Sequence, residues 1–92
     1  MVTVTLQQMI DERISFLKEQ INPENKPEVN SSIQLQIDAI RSVDDHNIEK
    51  VEFMIKEKKA LLKNSKDVHE SDRLFAESDG LEWLQRQIER YT

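Results

Sequence analysis

One glycine and two prolines are the only strong backbone breakers in this 92-residue chain. Strands in small domains need frequent Gly, Pro and Asn turns, whereas helices run for many residues between breaks. A chain so sparsely punctuated is constrained to a few long helices joined by short connections. The spacing of its apolar residues agrees. Leu6, Ile10, Ile14, Leu17 and Ile21 recur at three and four, which is one face of a helix.

The first helix is expected over 5–21. Thr5 and Gln8 stand at capping-box spacing, Val4 and Met9 occupy the staple positions, and Asn22-Pro23 stops the helix. A second helix is expected over 27–42, with Asn25 as N-cap, Pro27 in the first turn, and a stripe of Val29, Ile33, Ile37 and Ile40 extended by Val43. A third is expected over 46–63. Asp44 or Asp45 would cap it, and Ile48, Val51, Ile55 and Leu62 would form its buried face, widened by Met54 and Leu61. Asn64-Ser65 closes it.

The last third reads two ways. Leu81, Leu84, Ile88 and Tyr91 form one stripe, with Val68, Leu74 and Phe75 before it and Gly80 between. A single helix through Gly80 costs about 1 kcal/mol relative to alanine. A break near Ser78-Asp79-Gly80 is favoured slightly, because Asp79 and Glu82 again stand at cap spacing. The fold class is thus all-α: one domain over 1–92, a small bundle of four to five helices with short connections. With 37% hydrophobic and 34% charged residues, the chain has a lean core of its own, so self-association as a homodimer is expected.

Cysteine is absent, which excludes disulfides and thiolate metal sites and is compatible with a reducing compartment. No apolar run reaches the ~18 residues of a membrane span. The N-terminus has no positive segment followed by an apolar one, as a signal peptide would. The expected setting is the cytoplasm, with no membrane partner.

Little in the chain suggests catalysis. His46 with Glu49, and His69 with Asp72, are isolated pairings, and no HExxH occurs, so no metal is expected. Ser71 and Ser78 have no glycine-rich elbow to shape an oxyanion hole, and phosphate-cradling loops need more glycine than this chain has. The expectation is a protein without enzyme activity or cofactor.

Charge is more informative. Residues 67–82 hold six acids (Asp67, Glu70, Asp72, Glu77, Asp79 and Glu82) against Arg73 alone, a net of −5 that equals the net charge of the whole chain. Within them, Glu70-Ser71-Asp72-Arg73-Leu74 is nearly repeated as Glu77-Ser78-Asp79-Gly80-Leu81. Seven residues are two helical turns, so a continuous helix would stack Glu70 over Glu77 and Asp72 over Asp79, about 10 Å apart. Carboxylates held in rows on a scaffold resemble duplex phosphates to a DNA-binding protein. Asp44, Asp45, Glu49 and Glu52 would supply a second row.

Two other surfaces compete with this reading. Phe75, Trp83 and Tyr91 cluster near the end of the chain and suit a dimer or partner anchor, as in a helical adaptor or assembly protein. Lys56, Lys58, Lys59, Lys63 and Lys66 are the one basic cluster, which a small nucleic-acid-contacting regulator would use. That cluster lacks interleaved aromatics, and the negative balance of the chain opposes direct nucleic-acid contact.

In its length, the opening helix "LQQMIDERISFLKEQI" and the concentrated acids of "DVHESDRLFAESDGLE", the chain resembles small accessory proteins of large lytic phages, and among them the Arn-type anti-restriction proteins of T4-like phages. The resemblance implies a dimeric DNA mimic in the host cytoplasm. Such a mimic occupies the DNA-binding surface of a host protein, either a restriction enzyme of the McrBC kind or a histone-like nucleoid protein. It also requires the Lys56–Lys66 cluster to face away from the mimic surface.

Overall fold

The computed structural model describes residues 5–43 and 47–91, and within them the chain forms four α-helices and no strand. They are α1 (Leu6–Gln20), α2 (Pro27–Arg41), α3 (Ile48–Asn64) and α4 (Val68–Tyr91).

Helix α1 begins as its sequence suggests. The Thr5 hydroxyl accepts the Gln8 amide at 3.2 Å, and the Gln8 side chain accepts the Thr5 amide at 2.9 Å. Ile10, Ile14 and Leu17 are buried, and Leu6 and Ile21 pack partly against the same core. The backbone turns extended at Ile21, ahead of Asn22-Pro23.

Asn25 does not cap α2. The N-cap is Lys26, which makes no side-chain capping bond, and Pro27 opens the helix. The Asn25 amide is used elsewhere: it donates to the Gln20 carbonyl at 2.8 Å and to Asn30 Oδ1 at 3.1 Å. Asn30 in turn donates to the Asn22 carbonyl at 2.9 Å and accepts the Asn22 amide at 3.2 Å. Three asparagines thus tie the end of α1 to the start of α2, satisfying backbone groups that helix ends leave open. Val29, in the first turn, stays 46% exposed, so the buried stripe of α2 is Ile37, Ala39 and Ile40, with Ile33 partly buried and Val43 buried after it.

Helix α3 starts at Ile48 rather than at 46, and its cap is Asn47, whose side chain accepts the Glu49 amide at 2.9 Å. Asp44 and Asp45, expected to cap it, lie outside the described residues. Val51 and Ile55 are buried, whereas Leu61 is exposed and does not widen the buried face.

Helix α4 runs unbroken for 24 residues, so the expected break at Ser78-Asp79-Gly80 does not occur and Asp79 caps nothing. Capping is done by Asp67, whose carboxylate accepts the His69 amide at 2.9 Å. Gly80 serves packing instead. A Cβ there would sit 2.8 Å from the Gln36 carbonyl oxygen and 3.2 Å from the Gln36 Cα, so the glycine lets α4 approach the α2 backbone.

Helix α4 is the centre of the arrangement. It packs against α2 and α3 and, more lightly, against α1, while α1 packs on α2. The backbone of α3 comes close to α4 but to neither α1 nor α2. Partners such as Lys59 with Glu82 and Glu52 with Gln85 run in opposite senses along the chain, so α3 and α4 are antiparallel. The result is a slab of 48 × 34 × 16 Å, with a radius of gyration of 14.0 Å. A compact domain of this length would have about 12 Å. Leu81 and Leu84 of α4 have no exposed surface and join Ile37, Ile40, Val51, Ile55 and Ile88 in the core.

A divided row of carboxylates on the central helix

Because α4 is continuous, Glu70 does lie two turns from Glu77, and Asp72 two turns from Asp79, about 10 Å apart in each case. Residues two apart are separated by about 200° around a helix, so the two pairs point to opposite sides of α4. The repeat in the sequence therefore makes two rows with different surroundings.

The row toward α3 is partly neutralised. Glu77 is ion-paired with Lys58 of α3 and lies 3.6 Å from the Nε of Arg73. One turn beyond, Glu82 pairs with Lys59 at 2.7 Å. The side chains of the Lys58–Glu77 pair are only 28% and 17% exposed, so that pair is less screened than a surface contact. The lysine cluster thus does not turn away from the acidic stretch as a whole. Two of its members bind it, while Lys56, Lys63 and Lys66 are exposed.

The outer row differs. Asp72 and Asp79 are exposed and make no ion pair among the described residues. Glu70 is exposed as well, and Asp67 is exposed while capping the helix. Glu49 and Glu52 are exposed on the first turns of α3. Glu52 accepts from Gln85 at 3.5 Å, which places it about 9 Å along α4 beyond Asp79 and about 22 Å from Glu70. Glu52 thus lies near the C-terminal end of the acidic stretch, far from its start. Asp44 and Asp45, expected in the same second row, lie outside the described residues.

The three aromatic residues singled out in the sequence do not form one cluster. Phe75 is 55% exposed on the outer side of α4. Tyr91 lies at the helix end and is 37% exposed. Trp83 is half-buried, packing against the core on one side and, on the other, under the guanidinium of Arg13, 5.4 Å from its ring. The same guanidinium stands 5.5 Å from the Phe16 ring. Sequence reasoning missed Arg13 and Phe16. Their spacing of three within one helix was visible, but the crossing of α1 over Trp83 was not.

The remaining candidates are placed as follows. His69 and Asp72 line a shallow cleft with Ser31, Ser32 and Leu35 of α2. Among the described residues, no group of three or more His, Cys, Asp or Glu is placed to hold a metal ion. Ser71 donates to Ser65 at 3.2 Å, and Ser78 is buried within the helix packing without a hydrogen-bond partner among the described residues. Among these residues no helix is long and apolar enough to cross a membrane. No protein-family model, curated protein or solved structure matches the chain.

Proposed function

We propose that this protein is a non-enzymatic inhibitor that mimics DNA and blocks the DNA-binding surface of a host protein, a restriction enzyme of the McrBC kind or a histone-like nucleoid protein. The observation that supports this reading is the outer row of α4. Asp72 and Asp79 are exposed two turns apart on one rigid helix, with no internal cation paired to either among the described residues. Lys and Arg side chains that grip phosphates can grip such carboxylates through charge-assisted hydrogen bonds.

Asp72 and Asp79 are the contacts this reading favours: Glu70 is exposed on the opposite side of α4, Asp67 caps the helix, and Glu77 and Glu82 already have lysine partners. The same two pairs occupy Lys58 and Lys59, which disfavours the alternative of a nucleic-acid contact through the lysine cluster. A homodimer would double the number of outer-row carboxylates presented to the partner.

The test is displacement of labelled duplex DNA from a histone-like nucleoid protein, and separately from a McrBC-type enzyme, by increasing amounts of this protein. Release of duplex from either at low salt, fading as salt rises, is the expected result. Duplex that stays bound to both throughout the titration overturns the proposal.

A further inference from the structure

The carboxylates and the aromatic residues are not separate surfaces. Phe75, Asp79 and Trp83 stand at i, i+4 and i+8 on α4, which makes them neighbours in one row. Arg13 continues that row onto α1 by covering Trp83, and Phe16 ends it against the same guanidinium. The surface therefore alternates aromatic, acid, aromatic, base, aromatic across two helices. Its two end residues, Phe75 and Phe16, are 55% and 50% exposed. Between α1 and α4 lies a shallow recess of about 250 Å³ lined by Met9, Glu12, Arg13, Phe16 and Trp83. Phe, Trp, Met and Arg are the residue types that protein interfaces concentrate at their centres.

We infer that this strip is the docking face for a basic amphipathic segment of a partner protein. An apolar side chain of that segment seats in the recess against Phe16 and Trp83. Lysines or arginines about one and three helical turns away reach Asp79 and Asp72. The charge around the strip favours this occupant: Glu12, Asp72 and Asp79 are exposed on it against the exposed cation Arg86, two turns beyond Asp79, while Arg13 at the recess is already stacked on two rings. An acidic segment would meet like charge, and a wholly apolar one would leave the carboxylates without cations. This inference rests on the carboxylate reading above and adds to it that the partner is held by an apolar anchor as well as by charge.

Trp83 is the only tryptophan, so its fluorescence reports on the recess directly. The probes are a basic amphipathic peptide of Leu and Lys, and an oligolysine of equal charge. The amphipathic peptide is expected to shift Trp83 emission to the blue and to bind about ten-fold more tightly than oligolysine. Phe16→Ala and Phe75→Ala, both at exposed positions, are each expected to weaken that peptide about ten-fold while leaving oligolysine binding and thermal unfolding as in the parent. Equal affinity for the two probes, or peptide binding unmoved by both phenylalanine variants, overturns the inference. The carboxylate reading stands in that case if Asp72→Asn combined with Asp79→Asn still weakens duplex displacement about ten-fold, and falls if displacement is unaffected.

Discussion

Gly80 of α4 lies against the backbone of Gln36 in α2 so closely that a Cβ would come 2.8 Å from the Gln36 carbonyl oxygen. The obstacle is main chain within a helix, which cannot swing aside as a side-chain tip can. Gly80→Ala gains about 1 kcal/mol of helix propensity but forces the helices apart, at a typical cost of about 1–3 kcal/mol. A net loss of stability on chemical denaturation is expected. A gain would mean that α4 does not approach α2 at this point.

The unfilled cap of α2 can be corrected. Lys26 has the extended backbone of an N-cap, at φ −62° and ψ 144°, but contributes no capping side chain. Lys26→Ser supplies a hydroxyl for the open amides of the first turn and is expected to stabilise the protein by about 0.5–1 kcal/mol. Thermal unfolding at matched ionic strength checks this.

Asn25→Ala is expected to act in the other direction. It removes the donors to the Gln20 carbonyl and to Asn30, loosening the joint between α1 and α2. These bonds are largely solvent-accessible, so a loss of about 1 kcal/mol is expected. Hydrogen exchange should show the change first at the end of α1 and the start of α2.

The two Lys–Glu pairs should differ in weight. A double-mutant cycle on Lys58 and Glu77 is expected to return a coupling of about 0.5–1 kcal/mol, falling with added salt. The same cycle on Lys59 and Glu82, whose side chains are 59% and 31% exposed, should give less. Equal couplings would show that burial of the first pair contributes nothing.

Asp72→Asn with Asp79→Asn is expected to weaken partner binding about ten-fold and to flatten its salt dependence. Glu77→Gln should leave binding unaltered, because that carboxylate is already held by Lys58. Loss of binding with Glu77→Gln alone would shift the contact surface to the α3 side.

The legible parts of this fold are those decided locally. The Thr5–Gln8 box and the Ile10–Ile14–Leu17 stripe each rest on residues within two turns of one another, and both are present. Ser78-Asp79-Gly80 was misread because locally it has the composition of a turn. In the fold it is a stretch of α4 packed against α2, with Gly80 against the Gln36 backbone, a contact that no window around Gly80 contains. The capping asparagine of α2 was misassigned for a related reason: Asn25 has two uses open to it, and the one it takes depends on Gln20 and Asn30 together. The concentration of acids in 67–82 was plain in the sequence. Its division into a paired row and a free row was not, because that depends on where α3 lies.

The placement of α3 has a consequence for how the molecule is assembled during translation. Helices α1 and α2 can pair as soon as both have been made, and their asparagine joint is local. Helix α3 then emerges without its main packing partner, since its backbone comes close to α4 alone. The core that buries Val51 and Ile55 also takes in Leu81, Leu84 and Ile88, so it stays incomplete until most of α4 has left the ribosome. Helix α4, made after the other three, is thus the one that joins the α1–α2 hairpin and α3 into a single core.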